Sequence, residues 1–139
     1  MYTLKTEQSF DSAHFLYGYE GKCRNIHGHR WRVIIEIYDE NLCKEGQKRG
    51  MIVDFGDLKR DLKGLCDYLD HAFIIESGSL KKATLDALMS ENFRIIEFDF
   101  RPTAENLAKY IYDKMTEKGY KVKSTQVYET PNNCASYGV

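Results

Sequence analysis

Two of the four histidines of the chain lie two residues apart, in the segment His27-Gly28-His29. From position 27 to 37 the odd positions are otherwise apolar and the even ones mostly polar, which predicts a β-strand. On a strand, residues i and i+2 point to the same face, so both imidazoles can ligate one metal ion. A single histidine on an apolar face is more often a hydrogen-bonded core residue, so the interpretation needs a third donor.

His14 is the candidate for that donor, because it ends an alternating segment that begins at Tyr2 and places His14 on the apolar side with Phe10. If the two predicted strands pair, three imidazoles meet. Three neutral imidazoles with one open position are typical of a catalytic zinc, whereas a structural zinc is closed by four protein ligands. We therefore expect a Zn²⁺ site at His14, His27 and His29, although such a site also accepts other divalent ions.

Two further groups could move protons. Cys23, four residues before His27, is either a small buried side chain or a thiol whose pKa a nearby dication lowers, so that it transfers a proton or ligates the metal. Asp70-His71 either ends a helix, where a cationic histidine is favourable, or forms a pair in which the carboxylate fixes the imidazole tautomer. The residues alone leave these alternatives open.

Three more polar residues could contact a ligand. Thr103 and Glu105 open a predicted helix, where they either cap its first turn or offer a hydroxyl and a carboxylate to a ligand. Glu129 ends a predicted strand and is either solvated or paired with donors such as the edge of a guanidine-like heterocycle. A buried carboxylate without such a partner is costly.

The elements that must position these residues follow from periodicity. Leucines 58, 62, 65 and 69 mark one face of an amphipathic helix. The other predicted elements are a short strand at Met51–Val53, a weaker helix over Ser79–Glu91 with Leu80, Ala83, Ala87 and Leu88 facing inward, a strand at Ile95–Phe100, a helix at Thr103–Lys118 and a strand at Val122–Thr130. Early hairpins without regular βαβ alternation predict an α+β fold with an antiparallel sheet.

Composition limits the class of protein. The 139 residues fit one domain spanning 1–139, and the net charge of -1 gives no overall positive field to hold nucleic acid, which leaves only a local basic site open. We expect no membrane span, because no apolar run reaches about 18 residues, and no signal peptide. Four cysteines without paired spacing are typical of free thiols in a cytoplasmic protein.

Six motifs occur together, in the order Phe10–His14, Cys23-x3-His27-Gly28-His29, Val53–Phe55, Leu69–His71, Pro102–Asn106 and Tyr128–Pro131. The chain from about Tyr2 to Tyr137 resembles the 6-pyruvoyl-tetrahydropterin synthase and 6-carboxytetrahydropterin synthase family. The short spacing between Cys23 and His27 is similar to that of the bacterial 6-carboxy-5,6,7,8-tetrahydropterin synthases of the queuosine pathway.

The resemblance implies a tunnelling (T-) fold, in which a four-stranded antiparallel sheet carries helices on one face. Sheets of several subunits join into a barrel, so we expect a homo-oligomer, a trimer or hexamer, with active sites at subunit interfaces. The resemblance also implies residue roles: zinc ligation by His14, His27 and His29, catalysis by Cys23, Asp70 and His71, anchoring of the pterin edge by Glu129, and lining of the pterin pocket by Thr103 and Glu105.

The implied activity is that of a lyase-type enzyme, which converts 7,8-dihydroneopterin triphosphate to 6-carboxy-5,6,7,8-tetrahydropterin, acetaldehyde and triphosphate. The alternatives are 6-pyruvoyl-tetrahydropterin synthase activity and a non-catalytic zinc- or pterin-binding module. The chain departs from the family pattern at Ile75, where an asparagine is common, and in the longer segment Glu76–Phe100. Candidates for holding the triphosphate are Arg24, Arg30 and the Gln47–Arg49 stretch.

Overall fold

The computed structural model describes residues 1–139 and contains six strands and three helices. The strands are β1 (Tyr2–His14), β2 (His27–Asp39), β3 (Ala72–Glu76), β4 (Ile95–Phe98), β5 (Val122–Thr130) and β6 (Asn133–Gly138). The helices are α1 (Phe55–Leu69), α2 (Lys82–Ser90) and α3 (Ala104–Glu117), and a short 3-10 turn covers Lys22–Arg24. None of the helices is long and apolar enough to cross a membrane.

The strands form one curled sheet in the order β4-β3-β1-β2-β5-β6. β1 and β2 pair antiparallel along their whole length, and β5 and β6 continue the antiparallel part. β3 runs parallel to both β1 and β4, so the sheet is mixed. The α+β class is confirmed, but the expectation of a sheet of four strands is wrong, because β3 and β4 extend the antiparallel part β1-β2-β5-β6 at one end with parallel pairing.

β3 and β6 were not predicted from the sequence, for different reasons. β3 follows α1 almost at once and carries the buried side chains Ile74 and Ile75, a continuous apolar run rather than an alternation. β6 is a mostly exposed edge strand whose pairing with β5 follows the turn at Pro131 and Asn132. Neither pattern has the period of two by which a strand is usually recognised.

The strand predicted at Met51–Val53 is wrong. Its backbone lies in a loop that closes on Cys43, whose N–H donates to the carbonyl of Met51 (2.9 Å) while its own carbonyl accepts from Gly50 N–H (2.9 Å). These local hydrogen bonds replace pairing in the sheet.

α1 and α3 cover one face of the sheet. Asp54 caps α1 by accepting from Gly56 N–H (2.6 Å), and Thr103 caps α3 by accepting from Asn106 N–H (3.2 Å). The predicted inward faces are confirmed, with Leu65 half-buried. The buried residues of the two helices are Leu58, Leu62, Cys66, Leu69, Ala104, Leu107, Ala108, Ile111 and Met115. They pack on a sheet face that includes Phe10, Trp31 and Val33.

α2 lies within the predicted weak helix, but it is a surface helix. The expectation that Ala83 and Ala87 face inward is wrong, because both are exposed and only Leu85 and Leu88 are half-buried. No residue of α2 is fully buried. Hence the segment between β3 and β4 adds little to the core. Its side chains lie at the surface, where Leu88, Phe93 and Arg94 line a groove beside β3.

Candidate metal centre and active site

The register of β1 and β2 brings the three predicted histidines together. His14 pairs directly with His27, and His29 lies on the same face two residues further along. The ring centroids are 4.5 Å apart for His14 and His27, 5.1 Å for His14 and His29, and 4.9 Å for His27 and His29. His14 is only 1% exposed, at the edge of the core beside Trp31.

Glu129 joins them as a fourth donor near the end of β5. The ligand atoms of His14, His27, His29 and Glu129 all lie within 4.8 Å of one another. Glu129 Oε1 is 3.3 Å from His14 Nε2 and 3.0 Å from His29 Nε2. Sequence reasoning gave Glu129 a ligand-facing role but did not place it against the histidines.

The donor set fits a metal ion. The buried Nε2 atoms of His14 and His29 have no hydrogen-bond partner, even with Glu129 so near. Bonds of about 2.0–2.1 Å around a tetrahedral zinc hold neighbouring ligand atoms about 3.3–3.4 Å apart, close to the spacing observed. The distances from Glu129 Oε1 to the two Nε2 atoms, 3.3 Å and 3.0 Å, are close to that spacing, so the four donors can converge on one ion.

The other ring nitrogens are held in the way that metal-ligating histidines require. His14 Nδ1–H donates to the carbonyl oxygen of Pro102 (2.8 Å), and His27 Nδ1–H donates to that of Asn25 (2.7 Å). A carbonyl accepts only, so the proton of each neutral ring sits on Nδ1 and leaves Nε2 free to bind a metal.

Burial favours the neutral form of His14 and of His29. It lowers the pKa of His14 below the ordinary value and outweighs the hydrogen bond to Pro102, which raises that pKa. Burial also lowers the pKa of His29, against the attraction of the Glu129 carboxylate. Neutral imidazole is the form that ligates a metal, so both side chains are ready to do so at neutral pH.

Asp70 and His71 form the hydrogen-bonded pair that the sequence suggested. Asp70 ends α1, and its Oδ1 accepts from Asp11 N–H (2.8 Å) while its Oδ2 accepts from His71 Nδ1–H (2.8 Å). The hydrogen bond from Asp11, followed by that from His71, lowers the pKa of Asp70. The carboxylate thus holds Nδ1 of His71 and directs the Nε2 atom outward, on a side chain that is 80% exposed.

The pair and the histidine strand border one groove. A groove of about 730 Å³ runs along the ends of β1, β2 and β3 and is lined by both His29 and His71. His71 of the Asp70-His71 pair (the dyad) is therefore accessible to a molecule that lies in this groove beside the metal centre.

The remaining predicted residues, Cys23, Thr103 and Glu105, are not among the four converging donors. Cys23 is a half-buried free thiol in the 3-10 turn and is not one of the four converging donors. Thr103 acts as the cap of α3. Glu105 is exposed, and it lines a polar cleft of about 400 Å³ together with Glu129 and residues of β6.

Of the basic candidates, Arg30 lines the 730 Å³ groove and pairs with Asp11 (3.2 Å), whereas Lys48 pairs with Asp57 (3.5 Å) at the start of α1. Sequence reasoning missed Arg32. Its guanidinium lies 4.1 Å above the Tyr128 ring, and it lines a 600 Å³ cleft with Arg30 and Glu129. The alternation along β2 places Arg32 on the same face as Arg30, so the sequence pattern could have identified Arg32 as a further basic candidate.

Comparisons with known proteins agree with this geometry. A family model described as 6-pyruvoyl tetrahydropterin synthase matches residues 3–138. The 6-carboxy-5,6,7,8-tetrahydropterin synthase of Haemophilus influenzae is 35% identical over 140 residues, covering 99% of each chain. The enzyme of that name from Synechocystis is 32% identical over 139 residues, covering 99% of this chain and 93% of the relative.

Solved structures show the same fold. The 6-pyruvoyl tetrahydropterin synthases of Plasmodium vivax and Caenorhabditis elegans superpose with TM-scores of 0.70 and 0.68. They are 20% and 21% identical to this chain and cover 99% of it, and 98% and 95% of their own chains are matched. The fold expected from the motifs is thereby confirmed as the T-fold, with six strands in place of four.

Proposed function

Because the chain belongs to the 6-pyruvoyl tetrahydropterin synthase family of enzymes, we propose that it converts 7,8-dihydroneopterin triphosphate to 6-carboxy-5,6,7,8-tetrahydropterin, acetaldehyde and triphosphate. This reaction would place it in 7-deazaguanine (queuosine) biosynthesis. The proposal follows the relatives of 30–35% identity named for that product. The observation that carries it is the convergence of three imidazoles and one carboxylate beside an exposed Asp-His pair.

His14, His27 and His29 would hold a Zn²⁺ ion through their Nε2 atoms, with Glu129 beside it. Bound there, zinc supplies a Lewis acid for the hydroxyl oxygens of the substrate side chain. The chain contributes the orientation of each imidazole, through the carbonyl oxygens that hold His14 and His27.

His71 is the proposed base on one side of the substrate. Asp70 holds the proton of the ring on Nδ1, so Nε2 can accept a proton from a carbon of the substrate side chain and later return it. Cys23 is the proposed second proton carrier, and its place in the turn before β2 puts it near the start of the histidine strand. Each group of this kind typically contributes about 10²–10⁴-fold to the rate.

Glu129, Glu105 and Thr103 are proposed to hold the pterin ring. Glu129 lies beside the imidazoles and also lines the adjoining cleft, and its carboxylate is proposed to accept the paired N–H donors of the pterin edge. Glu105 lines the same cleft, and Thr103 caps the helix turn that presents it. Hence Glu129→Gln and Glu105→Gln should each raise KM, with the larger rise for Glu129→Gln.

We also propose that the protein works as a homo-oligomer, a trimer or hexamer, whose sheets join into a barrel. The curled sheet ends in two unpaired edge strands, β4 and β6, which are available to pair with other copies. Light scattering during size-exclusion chromatography tests this, because a monomer at micromolar concentration would contradict it.

Product analysis tests the activity. Zinc-loaded protein is given 7,8-dihydroneopterin triphosphate, and the products are identified by mass spectrometry. We expect 6-carboxytetrahydropterin with equimolar acetaldehyde. A 6-pyruvoyl product would replace the proposal by 6-pyruvoyl-tetrahydropterin synthase activity, and no turnover with zinc bound would favour a non-catalytic binding module. Cys23→Ala should lose turnover and keep zinc, so full turnover of that variant would remove the thiol from the mechanism.

A further inference from the structure

We propose that Arg94 is a positioning residue for the Asp70-His71 pair, an inference that rests on the proposed function of that pair. Arg94 lies just before β4, at the end of the segment that follows β3. Its guanidinium crosses to the end of α1, where Nη1 donates to the carbonyl oxygen of Asp70 (2.9 Å) and Nη2 donates to that of Tyr68.

The end of α1 needs such a donor. The last carbonyls of a helix have no partner within the helix. At many helix ends a glycine reverses the chain and satisfies them, but here the reversal falls on Asp70 and His71. Asp70 is extended, and His71 has φ of 53°, in the left-handed region that few residues other than glycine adopt. Contacts from outside the helix must therefore hold this turn.

Two sets of contacts hold it from opposite sides. On the β1 side, Asp11 donates its N–H to Asp70 Oδ1 (2.8 Å) and accepts from His71 N–H (2.7 Å). On the other side is the Arg94 fork. Arg94 is itself anchored, because its carbonyl accepts from Phe73 N–H (2.9 Å) where β4 begins to pair with β3. The turn is thus clamped between two strands of the sheet.

The clamp acts by geometry rather than by charge. Arg94 makes no ion pair, and both of its acceptors are main-chain oxygens. The side chain of His71 is 80% exposed, so little besides its backbone and the bond to Asp70 sets its direction. Lysine can reach one carbonyl but cannot reproduce a planar fork on two. The arginine therefore serves to hold the dyad in the orientation in which Nε2 faces the groove.

The test compares Arg94→Lys, Arg94→Ala, Asp70→Asn and the double variant Arg94→Ala/Asp70→Asn, with Lys82→Ala as the control. Lys82 is an exposed cation of the same segment and pairs with Asp86, away from the dyad. For each zinc-loaded protein we would measure kcat and KM for 7,8-dihydroneopterin triphosphate, zinc content and melting temperature. Guanidinium chloride at millimolar concentration would be added to Arg94→Ala in search of rescue.

We expect Arg94→Ala and Arg94→Lys to lose about 10–100-fold in kcat, part of the range that one acid-base group supplies, with zinc content unchanged. Because Arg94 also lines the 730 Å³ groove, a rise in KM with kcat unchanged would show a contact with the substrate in place of the clamp. Guanidinium should restore part of the activity of Arg94→Ala, and the double variant should lose no more than Asp70→Asn alone. A kcat within twofold of the wild type, or losses that multiply in the double variant, would overturn the inference. If the alanine variant fails to fold, the lysine variant decides.

A second readout separates this inference from the proposed function. Long-range ¹H–¹⁵N correlation spectra report which nitrogen of His71 carries the proton, without any turnover. We expect the Nδ1–H tautomer in the wild type and a mixture of tautomers in Arg94→Ala. An inactive wild type would refute the activity alone, whereas unchanged tautomer populations in Arg94→Ala would refute the clamp.

Discussion

Replacing Asp70 by asparagine separates the two hydrogen bonds that this carboxylate accepts. Its Oδ1 accepts from Asp11 N–H and its Oδ2 accepts from His71 Nδ1–H, both at 2.8 Å. In Asp70→Asn the amide oxygen keeps the bond to Asp11, because only an oxygen can accept there. The amide NH₂ then faces Nδ1 of His71, which must give up its proton and carry it on Nε2. The nitrogen that has to accept a proton in the reaction is thereby blocked.

The loss should exceed that of a weakened hydrogen bond. A misprotonated base forfeits its whole contribution, so we expect kcat to fall by about 10³-fold, within the range of 10²–10⁴ for such groups. The free energy of unfolding should fall by about 1 kcal/mol, because the two hydrogen bonds involve a charged group that is partly exposed and screened. KM and zinc content should stay close to those of the wild type, since Asp70 is not among the metal donors.

The acid dependence of stability gives an independent check. Since hydrogen bonds to the carboxylate lower the pKa of Asp70, the folded chain binds this proton less readily than the unfolded chain. The stabilisation is complete above the unfolded pKa of about 4 and is lost as the pH falls through the lower folded pKa. Asp70→Asn should lack this contribution.

The assay combines kcat from acetaldehyde release with urea unfolding at pH 7 and at pH 3. The control is Asp67→Asn, which alters a neighbouring exposed carboxylate that pairs with Lys63. A zinc-loaded Asp70→Asn protein whose kcat lies within threefold of the wild type would refute the reasoning about the tautomer. Equal losses in both asparagine variants would show that charge, and not the position of the proton, is what matters.

Three other changes test the metal centre and the core. His27→Ala should leave far less than one zinc per chain by plasma mass spectrometry, and stoichiometric zinc would contradict the ligand assignment. Leu62→Ala removes a fully buried side chain and should lower the free energy of unfolding by about 2–5 kcal/mol in urea titrations, so a loss under about 1 kcal/mol would contradict its place in the core. Tyr120→Phe deletes a hydrogen bond of 2.6 Å to Asp61, which lowers the pKa of that carboxyl, and should cost about 1 kcal/mol. That cost should be full above pH of about 4 and fade as the carboxyl protonates, so a cost independent of pH would contradict it.

Periodicity predicted those parts of the fold in which one face is buried. β1, β2 and β5 each carry alternating side chains, and α1 and α3 carry apolar side chains at helical spacing, so their positions follow from the sequence to within a few residues. β3 and β6 lack such a signal, since β3 is buried in a continuous apolar run and β6 is an exposed edge. Their existence depends on pairing with other strands, which is decided by the whole fold.

At the metal centre, too, the histidines could be predicted from local periodicity, whereas the position of Glu129 depends on strand pairing. Parity along a single strand is enough to put His27 and His29 on one face, and one hairpin adds His14. Glu129 requires the register of a third strand. Arg32 of β2 lies opposite Tyr128 of β5, so the next residue of β5 falls beside Trp31 on the face that carries the histidines. That register is set by contacts distant in sequence, which explains why the sequence indicated a carboxylate for a ligand but not one against the metal ligands.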